Sequence, residues 1–92
     1  MLKPTHLKLT AIIEPSDNVF VAVCPELDLA TEADTVEEAL TDLIDMAIEY
    51  AEDYAEHFEQ FSQSANRAAH AAYIEVIRCR PTPESVRALF EN

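Results

Sequence analysis

Residues 19–40 read Val19-Phe20-Val21-Ala22-Val23-Cys24, Pro25-Glu26-Leu27-Asp28-Leu29, Ala30-Thr31-Glu32-Ala33-Asp34-Thr35, then Val36-Glu37-Glu38-Ala39-Leu40. The first six are apolar and rich in β-branched side chains, as a strand requires. Pro25 stops that strand, because proline has no amide to give to a ladder. Thr35 with Glu38 three residues on spells a capping box. The threonine oxygen takes a free helix amide, and the glutamate reaches back to the cap. Strand, turn and helix start follow one another within a few residues, and a short third strand is expected over Leu29–Glu32. The fold class that follows is α+β.

Both faces of Val19–Cys24 are apolar: Phe20, Ala22 and Cys24 on one, Val19, Val21 and Val23 on the other. A strand of that kind expects cover on both sides. One helix covers one side, so the other cover is expected from the C-terminal segment or a second subunit. Upstream, Thr5–Glu14 alternates weakly, with Leu7, Leu9, Ala11 and Ile13 on one face. Pro15-Ser16-Asp17-Asn18 is a run of turn formers, so the two strands should make a hairpin.

Downstream, Val36, Leu40, Leu43, Ala47, Ala51, Tyr54, Phe58 and Phe61 keep the three-and-four spacing of a buried stripe. One helix is expected from Val36 to about Phe61. At about 1.5 Å per residue it would span roughly 39 Å. A compact domain of this size is only about 32 Å across. Tyr54, Phe58 and Phe61 are therefore expected to overhang and to form a dimer interface. Ser62-Gln63-Ser64 reads as a break and Ala65–Ala72 as a short alanine-rich helix. Tyr73–Cys79 reads as a returning strand. Thr82 is placed as an N-cap with Pro83 at the first helical position, opening a terminal helix over Glu84–Phe90 that buries Val86, Leu89 and Phe90. The expectation is one domain over residues 1–92: a small antiparallel meander, a long crossing helix, a returning strand and a short C-terminal helix. No separate DNA-binding domain is expected, since Thr82–Asn92 is too short for one.

The formal net charge is −12, and no lysine or arginine lies between Lys8 and Arg67. Fifteen of the eighteen carboxylates lie in that gap. Such a surface repels phosphate backbones, so direct nucleic-acid binding is not expected, and a basic protein partner fits better. Within the long helix, Glu38, Asp42, Asp45, Glu49, Glu52, Glu56 and Glu59 fall at steps of three and four. They form an acidic ridge opposite the apolar stripe. Like charges at these spacings cost about 0.2–0.5 kcal/mol per pair. The ridge is either a solvated face or a docking surface for a basic partner, and these seven residues are the candidates for partner binding.

Other chemistry is narrowed by composition. The chain has no glycine, which removes phosphate-cradling loops, dinucleotide fingerprints and the serine-hydrolase elbow. No cofactor is expected. Asp53 and His57 are one helical turn apart, but no second helix offers the partner that a carboxylate–histidine metal site needs. Cys24 and Cys79 are expected to be buried free thiols, and His6 and His70 ordinary surface or strand-edge residues. Arg78, Arg80 and Arg87 form a basic cluster expected to pair with the chain's own carboxylates. No nucleophile, base and orienting group can be assembled, so a binding protein is expected rather than an enzyme. No apolar run reaches the length of a membrane span, and no signal peptide opens the chain, so a cytoplasmic protein is expected.

The Cys24-Pro25-Glu26-Leu27-Asp28 turn, followed by Asp34-Thr35-Val36-Glu37-Glu38-Ala39-Leu40, resembles the HicB family of antitoxins over about Leu9–Asp53. The resemblance implies a partial ribonuclease-H-like fold without its catalytic function, a dimer or larger oligomer, and an acidic surface that covers a small basic ribonuclease toxin. The chain departs from the family where glycines are usual: those places hold residues such as Asn18, Leu29 and Ala33, so its turns must use asparagine, aspartate or another loop geometry. An alternative reading is a self-associating domain of the same fold with no toxin, binding a small ligand between subunits.

Overall fold

A computed structural model of the chain describes residues 7–80 and 82–91. The strand start at Thr5 and His6 lies outside them. The elements are β1 (Leu9–Thr10), β2 (Ile12–Ser16), β3 (Val19–Cys24), β4 (Leu29–Ala33), α1 (Val36–Glu56), α2 (Phe58–Ser62), a 3-10 turn (Ala68–His70), α3 (Ala71–Arg78), α4 (Pro83–Arg87) and β5 (Phe90–Glu91). The class is α+β, as expected.

The hairpin turns on Asp17 and Asn18 alone: Pro15 pairs with Phe20 and Ser16 with Val19, so the first two residues read as turn belong to β2. Both loop residues take positive φ, 47° and 72°. That is the requirement of the two-residue turn whose twist matches the strands. Aspartate and asparagine are the side chains that reach this region most readily after glycine. β4 pairs antiparallel with the other edge of β3, Cys24 opposite Leu29, so the third strand is present and the sheet order is β2-β3-β4. The connecting turn closes through the Leu27 amide on the Cys24 carbonyl at 3.2 Å. Asp28 again supplies a positive φ, 57°, and Leu27 drops into the core.

Glu26 straps that turn to β1. The Thr10 amide donates to its Oε1 at 2.9 Å and the Thr10 hydroxyl to its Oε2 at 2.6 Å. Burial works against the charge, but the Thr10 bonds outweigh it and hold the carboxyl below its usual range. Beside it, burial pushes the Cys24 thiol up to about 11. The thiol donates to Glu26 at 3.6 Å.

α1 lies across the inner face of the sheet. Ala22 and Cys24 meet Ala39, Leu43 and Ala47 there, all fully buried. α3 and α4 pack on α1 rather than on the sheet. The outer face keeps Val19, Val21 and Val23 half-buried and Ile12 42% exposed, so the cover expected there from the C-terminal segment is not what that segment provides.

Several of these expectations need correcting. The long helix does not reach Phe61: α1 stops at Glu56, and His57 at φ −117°, ψ 40° turns the chain into α2. The turn carries Phe61 back towards Tyr50 and Tyr54, so the helix trades length for burial of its aromatic end. Tyr73–Cys79 is not a strand but lies in α3 and its C-cap, where Ile74 and Ile77 are buried one turn apart. The alanine-rich stretch before it has high helix propensity and leads the chain into a helix. The strand that does return is β5, which pairs parallel with β1, Leu9 opposite Phe90.

The terminal helix is shorter than expected, ending at Arg87, though Val86 and Leu89 are buried as read. Its start holds: Thr82 and Ser85 form a reciprocal capping box with Pro83 in the first turn. At Thr35 the box is half made. The Glu38 amide donates to the Thr35 hydroxyl at 3.1 Å, but the Glu38 carboxylate accepts from that hydroxyl at 3.2 Å instead of reaching the cap amide. Cys79 is exposed at the end of α3, not buried. No helix of the described residues is long and apolar enough to cross a membrane.

Candidate functional site

The acidic ridge is built by α1. Buried residues Leu40, Leu43, Ala47, Ala51 and Tyr54 fix which face of that helix meets the core. The opposite face therefore carries Glu38, Asp42, Asp45, Glu49, Glu52 and Glu56, all exposed. Glu59 is exposed too but belongs to α2, beyond the turn at His57. Glu38 is occupied with its cap. Among the described residues, none of the other six carboxylates makes an ion pair. A shallow groove of about 460 Å³ runs beside the ridge, lined by Met46, Glu49, Tyr50, Glu52, Asp53 and Glu56. Its chemistry is carboxylate oxygens with one thioether and one phenol, a surface suited to a cationic side chain with an aliphatic stem.

The aromatic end of the helix is arranged otherwise than expected. Tyr54 is 1% exposed within its own chain. Its hydroxyl donates to the Arg67 carbonyl at 2.9 Å. Phe61 is half-buried, with its ring 5.5 Å from Tyr54 and the Arg67 guanidinium 4.6 Å above it. Of the three residues expected at a dimer interface, Phe58 alone is well exposed, at 53%.

His70 is buried, not a surface histidine. Its Nδ1 lies 2.7 Å from the Tyr50 hydroxyl, and the two rings meet edge to face. Burial pushes its pKa down, the nearby Asp28 charge opposes that, and Arg67 adds to it. Burial likewise raises the Tyr50 phenol. Sequence reasoning missed this pair; the signal was the spacing of His70, Ile74 and Ile77 on one helical face. His57 sits 3.4 Å from Asp53, both largely exposed, at the end of α1.

The basic cluster divides. Arg87 grips Glu37 with two bonds, 2.7 and 3.2 Å, and those bonds hold the glutamate below the usual carboxylate range. Arg78 and Arg80 are exposed and make no ion pair with the described residues.

Comparison with known proteins places this architecture. Search of curated proteins finds no match. The fold superposes with a TM-score of 0.84 on the crystal structure of an antitoxin part of a candidate toxin/antitoxin system from Syntrophomonas wolfei subsp. wolfei, at 25% identity over 92% of this chain. This chain spans 62% of that antitoxin's length. Residues 1–91 match the PHD-like family, described as antitoxin of toxin–antitoxin, RelE/RelB, TA system. The chain thus belongs to the PHD-like family of antitoxins of RelE/RelB toxin–antitoxin systems.

Proposed function

We propose that the chain neutralises a basic toxin, a small ribonuclease, by presenting the ridge Glu38, Asp42, Asp45, Glu49, Glu52, Glu56 and Glu59 to the toxin's cationic surface. The observation that carries this reading is the ridge itself: exposed carboxylates, six on α1 and Glu59 just beyond it, at spacings where they repel and in no ion pair among the described residues. A basic partner removes that repulsion on binding and is drawn in faster by the field. Family membership supports a toxin as that partner, and the Cys24–Leu40 motif supports a kinship to HicB antitoxins within this class. The protein acts by binding, in the cytoplasm, with no catalytic group or cofactor of its own.

The test is co-expression with the protein of the adjacent reading frame. A small basic ribonuclease whose toxicity this chain relieves is the expected result. Glu49→Lys with Glu56→Lys should then slow association about tenfold at low salt and flatten its salt dependence. A rate and a salt slope that stay put would reduce the ridge to a solvated face.

A further inference from the structure

We propose that the outer edge of β4 is a docking strip, to which the partner protein adds an extended segment bearing lysine or arginine at alternate positions. The ladder fixes which groups stand on that edge. Ser16 and Val19 close a two-residue turn, so they exchange hydrogen bonds. Bonded pairs alternate along an antiparallel ladder, so Val21 and Val23 also bond to β2. Phe20, Ala22 and Cys24 are left to bond with Ala33, Thr31 and Leu29. The amides and carbonyls of Ala30 and Glu32 therefore point away from the sheet. β4 is an edge strand, and among the described residues nothing accepts from either amide.

The two edges of the sheet are not alike. On β2 the outward positions are Ile13 and Pro15, and proline has no amide to offer. β4 carries no proline, lysine or bulge, the usual devices that keep another chain off an edge.

Charge selects the occupant. Glu32 is exposed on β4, and Asp28 and Asp34 are exposed at its two ends. α1 rests on β4, while α3 and α4 pack against the helix's other flank, where Arg87 holds Glu37. The flank on the β4 side carries Asp42, Met46, Tyr50 and Asp53 at steps of four and three. Asp28 stands close enough to Tyr50 and His70 for its charge to act on both. The strip thus runs towards the groove that Met46, Tyr50 and Asp53 line. An added strand meets carboxylates on both of its faces: Glu32 on the outer one, the helix flank on the inner one. A second copy does not fit. Two β4 strands paired about Thr31 would set Asp28 against Asp34 twice, and like charges directly opposite are destabilising. Main-chain bonds to a free edge supply affinity, and the alternate cationic side chains supply selection. The inference rests on the toxin reading only for the partner's identity, and the strip is tested without a toxin.

Hydrogen exchange read by NMR tests it, with a peptide of about ten residues alternating lysine and valine as the probe. In the free chain the Ala30 and Glu32 amides should exchange fast. Saturating peptide should slow both about tenfold or more, and should change the Thr31 amide, already bonded to β3, much less. The same peptide N-methylated throughout keeps its charge but cannot add a strand, so it should protect neither amide. Ala30→Pro should weaken binding about tenfold with helical circular dichroism kept, and Glu32→Lys with Asp34→Lys should do the same without removing an amide. Amides that stay fast at saturation overturn the proposal. So does an N-methylated peptide that binds as tightly, which is adsorption to the ridge alone. Protection that grows with protein concentration and no peptide overturns it too, because a second copy then holds the edge. Absence of a toxin at the adjacent reading frame would remove the toxin reading and leave a positive peptide result standing.

Discussion

The two ends of α1 are held in different ways. At its start, local devices act: Thr35 accepts the Glu38 amide, Glu37 and Glu38 sit where the helix dipole favours acid, and Arg87 pins Glu37 from outside. At its end the local contacts are those of His57, whose amide donates to the Asp53 carbonyl at 3.0 Å and whose Nδ1 lies 3.2 Å from the same oxygen. The last turn has no basic residue, and Glu52, Asp53 and Glu56 sit where the dipole disfavours them. What holds that end is distant chain: Phe61 turned back against Tyr54, the Tyr54 hydroxyl on the Arg67 carbonyl, and Tyr50 on His70. The contrast separates interactions written within four residues from interactions that exist only once the chain has folded back.

Tyr54→Ala is the strongest way to break the far end. Emptying that buried site should cost about 3–5 kcal/mol. All three tyrosines, Tyr50, Tyr54 and Tyr73, lie in α1's second half or α3, and there is no tryptophan. Tyrosine fluorescence of the wild type should therefore report this end, and helical circular dichroism the whole. If the two transitions coincide in urea, the ends form one cooperative unit and the contrast is only one of origin.

Acid should sharpen the contrast by separating the ends in pH. His70 is neutral in the fold with its pKa lowered from 6.5, so the unfolded chain takes up that proton first. Stability from this group is complete above pH 6.5 and falls as pH drops through the lowered value. Glu26 anchors the sheet with a pKa lowered from 4.5, so its contribution is complete above pH 4.5 and is lost only in stronger acid. The tyrosine signal should lose stability first on acidification, and His70→Gln should remove that early component in thermal melts. A melt profile that His70→Gln leaves unchanged would show that the histidine does not titrate with folding.

Smaller effects test the near end. Thr35→Ala should cost about 1 kcal/mol, read from the urea midpoint, as should Thr82→Ala at α4. Smallest is the ridge. Glu49→Lys with Glu56→Lys should raise stability by a few tenths of a kcal/mol or somewhat more, as repulsive neighbours become attractive ones. A chain that melts higher yet captures toxin more slowly would show repulsion retained for binding. If stability does not change, water alone already screens the ridge.

The same division explains what could be read in advance. The hairpin at Asp17-Asn18, the proline turn, the helix starts at Thr35 and Thr82 and the acidic ridge all follow from neighbours along the chain. The end of α1 does not, because no glycine or proline marks His57, and the apolar stripe runs on to Phe61 without a gap. Tyr73–Cys79 misleads because a short apolar run fits a strand or a helix equally well, and what decides is the surface of α1 waiting for it. The exposed Phe58, the buried His70 and the exposed Arg78 and Arg80 depend on where the chain turns back, so their surroundings wait on that turn.

The pairing of Leu9 with Phe90 has a consequence in time. Everything between them must exist before this ladder can close. Holding its ends together carries a loop-length penalty of about 4 kcal/mol, far more than two short strands return on their own. During synthesis the meander and the first half of the crossing helix are therefore free to assemble early, and the ladder is the last stitch. A nascent chain is free to display its charged rod to a target before Phe90 has been made.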